Sequence, residues 1–315
     1  MPTLRLRRRD EVHAEGVTPG RLTTLVRTGA LLRVRAGVYV DGEAWQRTTD
    51  TDRTLARARA LAMTSQRAPI FAVHTAAALH GMPLFRPPTS IHVIAPVERP
   101  GRARGVVRHR GILNESDVVT ISGLSCTSLT RTLADLARIG TFEQSVTVTD
   151  AALRRQFLHR QHYDSDGAAA FIEDVLAVVG ESARGRAKAH RALGFADGRA
   201  ELPGESISRI RLHQAGFAPP ELQVCVAGPG GQDYFVDFGI DEAEAFGEFD
   251  GAVKYVDGRM LDGLSTAEAF QREKRREDWI RGITGRRFVR WGWQDIATPD
   301  ALASRLAQFG VRPSL

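Results

Sequence analysis

The chain has 315 residues, 43% hydrophobic and 25% charged, enough for two or three domains and a sizeable core. No apolar run approaches the ~20 residues that span a bilayer. The opening MPTLRLRRRDEV lacks the apolar segment of a signal peptide, so no membrane partner and a cytoplasmic location are expected. The two cysteines, Cys126 and Cys225, lie far apart in apolar, strand-like surroundings, which predicts buried free thiols rather than a disulfide. The net charge of +6 is uneven, because residues 1–60 carry twelve Arg against seven acidic residues, a net of +5. Clustered guanidinium groups suit phosphate and nucleic-acid partners, although an Arg-rich coding bias would raise the same count.

In chain order, a helical stretch ends near Gly16, Thr18 and Pro19 have the pattern of an N-cap and first helical residue, and a second helix runs to about Thr28. Leu22, Leu25 and Val26 share its apolar face, leaving Arg21, Thr24 and Arg27 for solvent or a ligand. Beyond Gly29 the period becomes two: LLRVR, Ala36-Gly37 and VYV predict a tight hairpin with Arg33 and Arg35 on one side. Helix, turn, helix and basic hairpin is the order of a winged helix-turn-helix, whose second helix reads the major groove while the wing touches backbone. The phrase LTTLVRTGALLRVRAGVYV resembles the N-terminal domain of AbiEi-type antitoxins of type IV toxin–antitoxin systems. The segment ahead of the second helix is shorter than that family's first helix.

Residues 51–66 predict an Arg-rich helix, IFAVHTAAALHGMPL a short strand, helix and turn, and SIHVIAP and GVVRHRGIL two strands. GLSCTSLTRTLADLAR predicts a strand and a helix with Leu129, Leu133 and Leu136 inward, and Thr141 with Gln144 a capping box that opens a helix to about Phe157. These phrases also resemble the body of AbiEi-type antitoxins, so the resemblance spans about 1–160 and implies a sequence-specific repressor. His74 and His80, six apart with no acid beside them, are expected as core or capping histidines. Between the two strands, Arg99, Arg102, Arg104, Arg108 and Arg110 form either a second phosphate contact, with Arg102 and Arg104 as its centre, or a solvated loop.

Residues 161–200 are read as a helical connector. From 204 onward the order is helix, three antiparallel strands, charged helix, strand, helix. The phrases AGFAPPELQV, YFVDFGI, GEFDG and REDWIRGITGRRFVRWGWQDI resemble the PD-(D/E)xK nuclease superfamily near the very-short-patch repair endonucleases. The fold class expected is therefore α/β in the α+β sense. It comprises a winged helix-turn-helix (1–45), a mixed α/β body (46–160), the connector (161–200) and a restriction-endonuclease-like domain (201–315).

An Asp on one strand and a Glu on its neighbour can converge, and two carboxylates with waters and a phosphate oxygen satisfy the six-oxygen preference of Mg²⁺. The resemblance places Asp237 as the first acid, Glu248 as the second and Glu205 as an added acid on the preceding helix; these three are the expected metal ligands. The superfamily lysine two residues after the Glu is replaced by Asp250, and Lys254 is the nearest substitute. The catalytic candidates are thus Glu205, Asp237, Glu248, Asp250 and Lys254. The acids can equally be ion-pair partners of Arg272, Lys274, Arg275 and Arg276. Two functions stand side by side. In one the chain is a regulator on double-stranded DNA, its last domain a platform for homodimerisation or a cognate toxin. In the other it is a metal-dependent DNA endonuclease targeted by its winged helix.

Overall fold

The computed structural model describes residues 4–95, 101–103, 105–180, 184–251 and 266–314. Half of the structure is helical and 21% is strand, an α/β architecture. The chain divides into two compact units, Met1–Ala152 with Ser165–Ala196, and Leu153–Asp164 with Asp197–Leu315. No helix of the described residues is long and apolar enough to cross a membrane.

The first unit opens with β1 (Arg7–Arg8), α1 (Arg9–Ala14), α2 (Pro19–Arg27), β2 (Leu31–Arg35), β3 (Val38–Asp41) and α3 (Gly42–Gln46). Thr18 caps α2 by accepting from the Arg21 N–H, with Pro19 in the first turn where its missing donor costs nothing. Gly37 takes φ +79 to turn β2 into β3, and β1 pairs with the other side of β3. Val12, Leu22, Leu31 and Tyr39 close a small core with Leu25 and Val26 packed on it, so the apolar face read from the 3.6-residue period is the buried one.

Then follow α4 (Asp50–Thr64), β4 (Ile70–Phe71), α5 (Val73–Leu79), β5 (Ile91–Ala95), β6 (Gly101–Ala103), β7 (Val106–Arg110), β8 (Val118–Ile121), β9 (Leu124–Thr127), α6 (Leu129–Ile139) and α7 (Phe142–Phe157). The six strands form one mixed sheet in the order β6-β7-β5-β4-β9-β8. Thr141 and Gln144 exchange side-chain and backbone hydrogen bonds at 3.0 and 3.2 Å, the capping box that starts α7. A short hairpin of the second unit, β10 (Leu158–His159) and β11 (His162–Tyr163), precedes α8 (Ser165–Val179) and α9 (Arg186–Phe195). Val175, Val179, Ala189 and Leu193 of these two helices join Leu133, Leu136 and Val148 in one buried cluster. The segment read as a connector therefore contributes apolar surface to the first unit's core.

The second unit continues with α10 (Pro203–Gln214), β12 (Glu221–Ala227), β13 (Asp233–Ile240), β14 (Ala245–Phe249), α11 (Thr266–Thr284), β15 (Arg287–Trp291) and α12 (Pro299–Ala307). The sheet runs β12-β13-β14-β15, antiparallel in its first two pairings and parallel between β14 and β15. Val226, Val236, Phe246 and Phe288 cluster with Ile280 of α11. Trp291, 2% exposed, stacks on Phe238 and donates its indole N–H to Ser208 of α10 at 2.8 Å. Cys126 is buried as expected, but Cys225 is exposed. The pleat explains this: Val226 turns inward, so its neighbours Cys225 and Ala227 face solvent.

Candidate functional site

In the second unit, Asp237 interacts electrostatically with Glu205 of α10 and with Glu248 of β14. Pro203 opens α10 and Glu205 lies in its first turn. Gly204 permits the close approach, since a Cβ there would come within 2.0 Å of the Phe249 ring. Asp237 on β13 and Glu248 on β14 lie one step beyond the paired Phe238 and Gly247, so they are cross-strand neighbours. The Phe249 N–H donates to Asp237 Oδ2 at 2.8 Å, fixing that carboxylate at the end of β14.

Glu205 is 3% exposed. Its Oε2 accepts from the Glu201 N–H at 2.8 Å and from the Gln223 amide at 3.3 Å. Burial, and then the negative charge of Asp237, push its carboxyl up to about 8. The two acids therefore interact across one site, and burial with the neighbouring carboxylate favours the protonated form of Glu205. Gln223 sits in β12 with φ +54, a left-handed conformation uncommon for a residue with a side chain. Strain of this kind persists only where the surroundings hold it, and it concentrates at working sites.

Glu248 has a different setting. It is in register with Arg290 of β15. Its two oxygens contact Arg276 Nη1 of α11 at 2.7 Å and Arg290 Nη2 at 3.0 Å. Burial raises the Glu248 carboxyl, and the two guanidinium groups oppose that rise. Glu273 bridges the same two arginines, and Glu277 contacts Arg290 Nε at 3.1 Å. Arg276 also donates to the Phe235 carbonyl. Of the four cations named as partners for the acids, Arg276 takes that role. Arg272, Lys274 and Arg275 do not pair with the acidic trio among the described residues. Asp250 lies just past β14, its N–H donating to the Trp291 carbonyl at 2.8 Å. Lys254 falls outside the described residues.

Glu205, Asp237 and Glu248 thus share one electrostatic neighbourhood. Among the described residues no group of three His, Cys, Asp or Glu side chains stands in a metal-holding arrangement. The donor chemistry, carboxylate oxygen throughout, is what a hard cation such as Mg²⁺ takes. Arg276 and Arg290 compete with any cation for Glu248. Gln223 and Arg290 are members of the site that the sequence does not single out, whereas Arg276 is among the expected ion-pair partners of the acids.

In the first unit, Arg21 and Arg27 of α2 and Arg33 of β2 are exposed, and Thr24 is half-buried. The Thr24 hydroxyl donates to the Gly20 carbonyl at 3.2 Å. None of the three arginine side chains makes a hydrogen bond or ion pair with a described residue. Arg35 differs: a bulge separates it from Arg33 on β2, and its Nε donates to Thr64 of α4 at 2.7 Å. Arg102 lies on β6, while Arg99 and Arg104 fall outside the described residues. His74 and His80 are core and capping groups, bonded to Gln144 Oε1 at 2.9 Å and to the Thr127 carbonyl at 2.8 Å.

No family model matches the chain. Two uncharacterized proteins of Mycobacterium tuberculosis, from the H37Rv and CDC 1551 / Oshkosh strains, are each 29% identical to it over 234 residues, covering 74% of this chain and 79% of theirs.

Proposed function

We propose that the chain is a DNA-binding regulator. Its first 45 residues serve as a winged helix-turn-helix, and its last third is a nuclease-like platform for a second copy or a toxin partner. The observation that carries this reading is the trio Arg21, Arg27 and Arg33, exposed on α2 and β2 and without protein partners among the described residues. Cations left unneutralised on a helix and its adjoining hairpin suit a duplex, with the helix in the major groove and the hairpin on the backbone. Selection of bound duplexes from a random-sequence pool, followed by anisotropy titration of the winners, tests it. Enrichment of one motif is expected. Failure to bind any duplex at low salt would remove the regulator reading.

A second reading, a metal-dependent DNA endonuclease, is favoured by the buried field that Glu205 shares with Asp237 and by the strained Gln223 beside them. Asp237, Glu205 and Glu248 would hold the ion, which when bound supplies charge neutralisation for a phosphodiester and acidifies a water. The chain's own contributions are distinct. Gln223 and the Glu201 N–H orient Glu205, the Phe249 N–H orients Asp237, and the proton on Glu205 must leave before that carboxyl can ligate. The lysine position is an acid, Asp250, so Arg276 and Arg290 are the nearby described cations that contact Glu248. Nicking of supercoiled plasmid, lost in Asp237→Asn, would favour this reading over the first.

A further inference from the structure

On α11 the side chains of Glu268, Gln271, Arg272, Arg275 and Trp279 recur at helical spacing and so form one stripe. With Tyr234 of β13 they line an open groove of about 660 Å³. The adjoining arginines of this helix are neutralised: Arg276 by Glu248 and Glu273, and Arg281 by Glu277. Arg272 and Arg275 are exposed and make no hydrogen bond or ion pair with any described residue. Two unneutralised guanidinium groups three residues apart on one helix face repel each other, a cost that an anionic occupant removes.

The groove's aromatic wall is held in place. Trp279 is 39% exposed, yet its indole N–H donates to the Ala227 carbonyl at 3.0 Å. That bond restricts rotation of the ring, which keeps a large apolar surface at solvent without the entropy cost of ordering it later. Tyr234 is half-buried, its hydroxyl held by the Gln232 amide at 2.6 Å. Flat aromatic rings stack bases, and guanidinium forks bind phosphate in two-point contacts. A duplex keeps its bases stacked inside and offers such rings only edges, whereas an unpaired strand offers base faces and phosphates together.

We infer that this groove binds single-stranded DNA, with Trp279 as a stacking platform for a base and Arg272 and Arg275 on adjacent phosphates. The site is separate from the acidic trio and needs no metal. It shares with the proposed regulator only the class of ligand, and α2 with β2 remains the expected duplex surface.

The test is an anisotropy titration of the full-length chain with fluorescein-labelled oligo(dT) of about 12 nucleotides, within the site sizes typical of single-strand grooves. A random duplex and a poly-glutamate competitor are run beside it. Arg272→Ala with Arg275→Ala is expected to weaken oligo(dT) binding about tenfold and to reduce the salt slope by roughly 1.4, about 0.7 for each lost phosphate contact. Trp279→Ala is expected to cost about tenfold, and Trp279→Phe, which keeps a stacking ring, much less. Duplex affinity should be unchanged in these exposed-residue variants. Combined Arg21→Ala, Arg27→Ala and Arg33→Ala should do the reverse, so loss of one surface is told from loss of the other. Unaltered oligo(dT) affinity in the groove variants, equal losses for duplex and single strand, or displacement of oligo(dT) by poly-glutamate at matching charge would overturn the assignment.

Discussion

Arg276 on α11 holds Glu248 on β14 through an Nη1–Oε1 contact of 2.7 Å, with both side chains less than one-fifth exposed. Removing Arg276 leaves Glu248 with Arg290 alone, a cation that Glu273 and Glu277 also share, so the cluster is left with excess buried negative charge; breaking a buried pair typically costs about 3 kcal/mol or somewhat more. Arg276→Ala should therefore destabilise the second unit by about 3 kcal/mol in a urea unfolding series. Adding Glu248→Gln should recover a large part of that loss, because the charge left behind is then gone. Equal destabilisation in the single and double variants would show that Arg276 acts by packing alone.

Glu205 has a folded-state carboxyl raised to about 8, against an ordinary value of 4.5. The native state thus binds more protons than the unfolded chain between those two values. The associated stability is fully present below pH 4.5 and is lost as pH rises through about 8. Glu205→Gln keeps an oxygen for the Glu201 and Gln223 donors and carries no charge. The variant should melt above the native protein at pH 8.5 and close to it at pH 5. A native-like decline with rising pH in the variant would assign the slope to another group.

A divalent cation that binds the acidic trio in the folded state alone should raise the melting temperature by mass action. The upshift is expected with Mg²⁺ or Mn²⁺ in the native chain and should be absent in Asp237→Asn. Removal of Arg276 should increase the upshift measured against the variant's own metal-free melt, since that guanidinium competes for Glu248. A native upshift retained in Asp237→Asn would place the ion elsewhere.

Duplex binding through α2 and β2 should carry three phosphate contacts if Arg21, Arg27 and Arg33 all reach the backbone. Replacing all three by Ala then lowers the salt slope by roughly 2.7, about 0.9 per contact. Arg35→Ala should have the smaller effect on affinity, because Arg35 is already bonded to Thr64. A larger loss from Arg35 than from Arg33 would reverse this order.

The first unit should be acid-sensitive. His92 Nδ1 and His109 Nε2 lie 2.9 Å apart, so one ring donates and the other accepts, which requires a neutral ring in the pair. His74 packs edge-on to His92 at 5.1 Å. Burial, with the charge of His109 added, outweighs the hydrogen bond that His74 donates to Gln144 Oε1 and lowers the His74 pKa below its ordinary 6.5. The unfolded chain then takes up protons first, so stability is present above pH 6.5 and is lost as pH falls below it. Amide protection of α5, β5 and β7 should decrease between pH 7 and pH 5. The decrease should be smaller in His74→Gln, which stays neutral.

Much of the fold is legible in the chain because period and punctuation are local. The 3.6-residue spacing of Leu22, Leu25 and Val26, the Thr141–Gln144 capping box and the alternation in YFVDFGI each describe a few neighbouring residues, and the structure has the corresponding elements. The same locality shows that Asp237 and Glu248 are on adjacent strands, since a tight connection leaves β13 and β14 few other ways to pair. What the tertiary structure alone decides is where long-range partners meet. Glu248 faces Arg276 and Arg290 because β15 docks parallel to β14 and α11 packs across both, a register no local pattern encodes. The strain at Gln223, the close contact that Gly204 permits and the burial of α8 and α9 in the first unit's core arise the same way. Charge and periodicity specify what a residue can do, whereas burial and distance, which set a carboxyl near 8 or tie it to a guanidinium, exist only once distant segments have packed.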